Sequence, residues 1–124
     1  MQWDHHGVTD DARRLHQAIW QHCNDKPDAV EEHPWGDTVF KVKGKVFAFL
    51  GTPETPGVGV KAPPDELEML LGVPFIERSK YIGRYGWVSV SVADDDALRL
   101  ALELIDDSYE IIKSRRRSRA KPRS

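Results

Sequence analysis

The chain has 124 residues, enough for one domain with a hydrophobic core and too few for two. Hydrophobic residues make up 40% of it and charged residues 31%, which is typical of a globular protein in water. No apolar run approaches the roughly 20 residues of a membrane span, and no apolar leader is present, so we expect a cytoplasmic protein without a membrane partner. Cys23 is the only cysteine. It excludes an intrachain disulfide, and we expect a structural thiol.

The net charge of −2 conceals a segregation of charge along the chain. Seven of the 18 basic residues lie between Lys113 and Ser124, where there are no acids, so residues 1–112 carry a net charge of −9. Within that acidic body, residues 38–62 sum to +3 and residues 76–92 to +2. Positive charge therefore gathers where strands are predicted and negative charge where helices are predicted.

A first helix is predicted from Asp10 to about Cys23, because apolar residues recur there every three to four positions and Thr9 is a suitable N-cap. Residues 24–28 end it.

Two runs rich in β-branched and aromatic residues flank Lys43-Gly44 and predict a β-hairpin with a two-residue turn. Counting outward from that turn places Phe40 opposite Phe47 and Thr38 opposite Phe49. Residues that face each other share one side of the sheet. The predicted core side is Phe40, Val42, Phe47 and Phe49, and the predicted outer side is Val39, Lys41, Val46 and Ala48.

The remaining elements follow in order. A third strand is predicted at residues 57–61 with Val58 and Val60 inward, then a short helix from Pro63 to Leu71. Residues 75–84 are predicted to be a loop or an edge segment. Residues 87–92 alternate, with valines inward and Trp87, Ser89 and Ser91 outward. A last helix begins after Asp94-Asp95-Asp96, an acidic triplet that suits a helix N-terminus, and ends near Ile112.

These elements predict an α+β fold in the order α-β-β-β-α-β-α, an antiparallel sheet with its helices on one face. The domain is expected to span residues 1–112. Residues 113–124 lack apolar side chains except Ala120 and are expected to form a basic, disordered tail.

Four segments resemble the MmcQ/YjbR family, in the right order and over about residues 23–113. They are EEHPWGDTVFKV (31–42), KVFA (45–48), YIGRYGWVSV (81–90) and LIDDSY (104–109). The resemblance implies a CyaY-like (frataxin-like) α+β fold, sometimes described as a double wing, with an inferred DNA-binding role. Residues 51–76 depart from the family pattern. Iron binding, known for some frataxin-like folds, is not carried over, because the acids of the first helix are matched by Arg13 and Arg14.

Neither a metal site nor a catalytic site is predicted. The five histidines lack a metal-binding spacing or a cysteine partner, and no cofactor-binding or nucleophile motif is present. A hydrolytic site with His33 as base beside Glu31, Glu32 and Asp37 is conceivable. The favoured interpretation is that Pro34-Trp35-Gly36 forms a packed turn. We therefore expect a protein without catalytic activity.

The basic and aromatic residues predict a nucleic-acid surface, most simply for DNA, on a monomer or weak dimer. The hairpin lysines and the tail would contact phosphates, and Trp87 would stack on a base. The candidate residues are Lys41, Lys43, Lys45, Arg84, Trp87, Arg115, Arg116 and Arg117. The alternative is a small-molecule or protein-binding domain with an apolar cleft around Trp35 and Trp87, including Tyr81 and Tyr85. The hairpin lysines also have a structural interpretation, as charges that protect a sheet edge from aggregation.

Overall fold

The computed structural model describes residues 9–80 and 82–120, with side chains described up to Ser114. Three α-helices and six strands follow one another in the order α1 β1 β2 β3 β4 α2 β5 β6 α3. The helices are α1 Asp10–Asn24, α2 Leu67–Leu71 and α3 Asp95–Ala120. The strands are β1 Val30–Glu32, β2 Val39–Val42, β3 Lys45–Leu50, β4 Gly57–Lys61, β5 Ile76–Arg78 and β6 Trp87–Ser91.

The strands form one antiparallel sheet in the spatial order β1-β2-β3-β4-β6-β5. The predicted α+β class is confirmed, and two short edge strands are added to the predicted order. β5 lies within the segment predicted as a loop or edge. β1 was missed because three residues, Val30, Glu31 and Glu32, are too few to show an alternating pattern.

The core lies between the inner face of the sheet and the helices α1 and α3. Inward side chains of the neighbouring strands β4 and β6, such as Val60 and Val88, are fully buried. Facing them from the helices are Leu15 and Ile19 of α1 and Ile105 of α3. The predicted alternation in β4 and β6 is thus confirmed, with Ser89 and Trp87 on the outer face.

The β2–β3 hairpin contains a β-bulge that the predicted register lacked. Lys41 pairs with Val46 as predicted, but Phe40 pairs with Ala48, so Phe47 is an extra residue in β3. In such a bulge two successive side chains face the same way, and every later residue changes sides. Phe47 and Ala48 are therefore both buried in the core. The prediction that Phe49 is a core residue was wrong: it points outward and is 38% exposed.

Both long helices begin at the predicted caps. The Thr9 hydroxyl accepts a hydrogen bond from the Ala12 amide at 2.9 Å, and the Asp94 carboxylate accepts one from the Ala97 amide at 2.9 Å. The helix α3 continues to Ala120 rather than ending near Ile112, so the first part of the predicted disordered tail has a helical backbone. Residues 121–124 lie outside the described residues. No described helix is long and apolar enough to cross a bilayer.

Candidate nucleic-acid interface

The tip of the β2–β3 hairpin presents two exposed lysines, Lys43 and Lys45. Lys43 and Gly44 have φ angles of 52° and 81°. Two successive positive φ angles define the tight turn whose twist matches that of the flanking strands. The predicted two-residue turn is therefore confirmed. It sets the backbone positions of Lys43 and Lys45 relative to each other.

Three basic segments meet at the end of the sheet where this tip lies. Lys61, the last residue of β4, pairs with Trp87, the first of β6. The 3-10 helix Gly83–Tyr85, which contains the exposed Arg84, directly precedes Trp87 and so lies at this end. The helix α3 passes the same level at Ser108, whose hydroxyl bonds the Phe47 carbonyl at 2.7 Å and the Lys61 amide at 3.0 Å.

From Ser108 to Ala120, α3 advances by about 18 Å at 1.5 Å per residue. Its direction is away from the acidic start of the helix and toward the hairpin end of the molecule. Arg115, Arg116 and Arg117 lie in this last part of the helical backbone. The tertiary structure thus brings the backbone of residues 115–117 to the same end as the hairpin tip and Arg84.

The opposite end of the molecule is acidic. The starts of α1 and α3 lie side by side there, because Arg14 bonds both Asp11 at 2.7 Å and Asp95 at 2.9 Å. Asp10 and Asp96 flank these carboxylates at the two helix starts, where negative charge is favoured by the helix dipole. The helix starts therefore gather negative charge at the end of the molecule away from the hairpin tip.

On the outer face of the sheet, the predicted cations are partly neutralised. Lys41 forms an ion pair with Glu32 of β1 at 2.9 Å. Lys61, which sequence analysis did not single out, donates a hydrogen bond to the Tyr85 carbonyl. Trp87 is half-buried on this face, as predicted, and packs edge-to-face against Phe49 with ring centroids 5.4 Å apart. The outer face thus offers aromatic surface more than positive charge.

The structure does not bring Trp35 into a cleft with Trp87. Trp35 lies between β1 and β2, with β3 and β4 separating it from the strand of Trp87. Its side chain is 97% exposed, so the turn Pro34–Gly36 forms as predicted but is not packed. Tyr85 is 55% exposed and its hydroxyl accepts a hydrogen bond from Arg84 at 3.0 Å. Tyr81, the other predicted cleft residue, lies outside the described residues.

The residues considered for hydrolysis have structural partners. Glu31 accepts a hydrogen bond from the Trp20 indole at 3.1 Å, so the carboxylate ties β1 to α1. The Nε2 atom of His33 lies 3.1 Å from the same carboxylate oxygen. His33 also lies 3.4 Å from the Thr38 hydroxyl. Asp37 is exposed and lies beyond the turn. These contacts position the β1–β2 connection.

A trough on the outer face was missed by sequence analysis. Its floor is formed by Gly57 and Gly59, one wall by Phe49, and the other wall by residues of β5 and β6: Ser89, Ser91 and Glu77. The cavity measures about 610 Å³. The signal in the sequence was the G-V-G-V run of β4, which places glycine at two successive outward positions of a strand. The position of Phe49 in the wall could not be predicted, because the bulge in β3 is what turns its side chain to the outer face.

Titratable groups elsewhere serve the fold. Asp106 of α3 pairs with His22 at 2.8 Å and with Lys26 of the segment after α1. Burial opposes ionisation of Asp106, but these two partners outweigh it and lower its pKa. Burial raises the pKa of Cys23 to about 12, so this thiol stays protonated near neutral pH, as expected for a structural cysteine. Among the described residues, no three potential metal ligands cluster.

The fold and this site define a class of protein: a small α+β domain with a single antiparallel sheet, two helices covering its inner face and a basic hairpin at one end. The family model YjbR matches residues 24–111. The chain belongs to the YjbR family, as the four sequence segments indicated.

One solved structure shows the same fold. A crystal structure of a protein from Pseudomonas syringae, a structural genomics target, is similar with a TM-score of 0.61 at 19% sequence identity. The similarity covers 77% of this chain and 97% of that one. No curated protein matches this sequence.

Proposed function

We propose that this protein binds DNA or another nucleic acid without catalysing a reaction on it. The observation that carries the proposal is the convergence of three basic segments at one end of the domain. They are the hairpin tip with Lys43 and Lys45, the 3-10 helix with Arg84, and the end of α3 with Arg115 to Arg117. Separated cations fit a row of phosphates, which are spaced by several ångströms along a strand.

The charge distribution also supports an end-on contact rather than a contact across the whole sheet. Lys41 is paired with Glu32, so the middle of the outer face has little free positive charge. Asp25 and Asp65, in the connections after α1 and β4, also lie at this end, so the contact depends on individual cations and not on a uniformly basic surface. The acidic starts of α1 and α3 would repel phosphate and orient the basic end toward it.

The test is the salt dependence of binding. A labelled DNA duplex of about 20 base pairs is titrated with the full chain between ~50 and ~200 mM salt, and the slope of log affinity against log salt is measured. Each phosphate contact contributes about 0.9 to that slope. The double variant Lys43→Gln/Lys45→Gln is expected to reduce the slope by about 2. The triple variant Arg115→Gln/Arg116→Gln/Arg117→Gln is expected to reduce it as well.

The matched control is Arg13→Gln/Arg99→Gln, which removes the same number of charges from the acidic end. It is expected to leave the slope unchanged, since those side chains lie on α1 and α3 far from the tip. An equal effect of the control and the tip variant would overturn the end-on contact. No binding at the lowest salt would overturn the proposal as a whole.

A further inference from the structure

The trough on the outer face has a regular construction that follows from the strand register. One row across the sheet reads Phe49, Gly59, Ser89 and Glu77, each paired with its neighbour. Neighbouring strands lie about 4.8 Å apart, so the backbones at Phe49 and Ser89 stand roughly 10 Å from each other, and Gly59 contributes no side chain between them. Trp87 packs against Phe49 on the side of the hairpin tip, and the trough opens on the other side, toward Gly57. The floor of this gap is bare backbone, over which a flat ring fits.

The next row lacks side chains in the same place. Gly57 pairs with Ser91, and the Gly51 amide donates to the Gly57 carbonyl at 2.9 Å. Two outward glycines in a five-residue strand cost stability, because glycine lowers strand propensity and packs nothing. At Gly57 the neighbouring backbone explains glycine, since an added Cβ would lie 2.7 Å from the Val90 carbonyl oxygen.

Gly59 has no such local reason. A Cβ added there would meet Phe49 at 3.6 Å and the Val88 carbonyl oxygen at 3.8 Å, which are ordinary contacts. The position therefore accepts a side chain sterically, and the consequence of glycine is an open floor beside Phe49. That combination indicates a surface kept free for a ligand.

The walls define the chemistry of the ligand. Phe49 offers an aromatic surface on one side. On the other side the Ser89 and Ser79 hydroxyls lie 3.2 Å apart, and the exposed Glu77 carboxylate forms no hydrogen bond or ion pair with any described residue. Hydroxyls both donate and accept, and a carboxylate accepts from an amino group. A planar ring with polar groups along one edge matches these walls.

One cation at the rim adds the remaining feature. Lys80 lines the trough beyond Glu77 and is exposed without an ion pair to another described residue. Arg78 pairs with Val88 of β6, so its side chain lies on the other face of the sheet, where it donates to the Gly83 carbonyl at 3.3 Å. An aromatic ring with a polar edge and an adjacent negative charge is the pattern of a nucleobase with its phosphate.

We infer that the trough formed by Gly57, Gly59, Phe49, Ser89, Ser91 and Glu77 holds one unpaired base of a single-stranded nucleic acid. The inference rests on the proposed function and deepens it. In a duplex the base edges are paired and the rings are stacked, so only a single strand can place a base here. The protein would therefore prefer single strands to duplexes, with the tip holding phosphates and the trough holding a base.

The first test compares a single-stranded oligonucleotide with a duplex of the same sequence at one salt concentration, using the full chain. The preference for the single strand is expected to be about tenfold, as for one stacked base. Gly59→Val fills the trough with a side chain that favours strands, so the fold is retained, and it is expected to abolish the preference without weakening duplex binding. The matched control Ala93→Val adds two methyl groups at an exposed position outside the trough and is expected to change neither affinity.

The second test uses NMR with adenosine 5′-monophosphate and with ribose 5-phosphate as the ringless control. Shifts at the amides of Gly59, Ser89 and Ser91 are expected with the nucleotide only, and Gly59→Val is expected to remove them. Equal shifts with both probes would mean that the trough binds the phosphate and not the base, and would overturn the inference. If the nucleotide binds but the protein does not prefer single-stranded nucleic acid to a duplex, the inference that a nucleic-acid strand occupies the trough would be overturned.

The two proposals fail in different ways. Salt-dependent duplex binding that Gly59→Val leaves unchanged, with no single-strand preference, would overturn the trough inference and leave the end-on contact standing. Loss of all binding to duplexes and single strands at ~50 mM salt would remove the proposed function itself.

Discussion

Ser108 joins the long helix to the irregular part of the sheet, and its replacement by alanine is expected to destabilise the protein strongly. Its side chain is fully buried. The hydroxyl donates to the carbonyl of Phe47, the bulge residue, and accepts from the Lys61 amide of β4. A bulge interrupts the regular ladder, so backbone groups beside it depend on such side-chain partners.

The magnitude follows from the two backbone groups that lose a partner. Each buried group left without a hydrogen bond costs about 1–3 kcal/mol. Ser108→Ala is therefore expected to lower the free energy of unfolding by about 2–6 kcal/mol. For 124 residues, the melting temperature falls by roughly 4 °C per kcal/mol, which gives a decrease of about 8–24 °C.

Urea denaturation followed by circular dichroism measures this change, with thermal unfolding as a second readout. The matched control is Ser114→Ala in the same helix, where the exposed hydroxyl donates to the Glu110 carbonyl at 2.7 Å. The control is expected to change stability by less than about 0.5 kcal/mol. If both variants lost the same stability, the hydrogen bonds of the Ser108 hydroxyl to the backbone groups of Phe47 and Lys61 would not be what stabilises the bulge.

Three further predictions concern stability and reactivity. Asp106→Asn should destabilise the protein modestly at pH 7, because it removes the partner of Lys26 and His22 at a half-exposed site. Folding lowers the pKa of Asp106 from its ordinary value of 3.8. The stability that the ionised carboxylate contributes is therefore present above pH 3.8 and is lost as the pH falls further. In urea titrations at low pH, the variant and the wild type should converge. The neighbouring control Asp107→Asn should have no effect or a slightly stabilising one, since burial and then Asp106 and Glu103 raise the pKa of Asp107; equal losses in the two variants would contradict the ion-pair argument. Cys23, with a pKa of about 12, should react with a thiol reagent at pH 8 only after denaturation, and rapid labelling of the native protein would refute its burial. Gly57→Ala should lower the melting temperature because of the 2.7 Å approach to the Val90 carbonyl oxygen, whereas Gly59→Ala should not; the reverse order would refute the account of the trough floor.

Sequence patterns predicted the elements that have a strong period. The valines of β6 alternate and are buried, and Thr9 and Asp94 cap the helices that they were expected to begin. The turn at Lys43-Gly44 was also predictable, because glycine there tolerates a positive φ. These features depend on contacts between near neighbours in the chain, which the sequence displays directly.

Residues around the bulge show where such reasoning ends. Composition alone does not reveal that β3 has one extra residue, Phe47, at a bulge opposite β2, so Phe49 was assigned to the core. The carbonyl of the extra residue accepts a hydrogen bond from Ser108, more than 60 positions further along the chain. Likewise the charge of Lys41 was visible, but its partner Glu32 became a neighbour only when β1 joined the sheet edge.

The sequence by itself determined the family, the α+β class, the capped helices and the basic character of the hairpin and the C-terminal segment, since these are local or compositional properties. Tertiary structure alone decided which face Phe49 occupies, that Trp35 stays in solvent, and that the hairpin tip and the end of α3 lie at one end of the domain. The physical reason is that register and the spatial meeting of distant segments depend on packing across the whole sheet, which no short stretch of residues encodes.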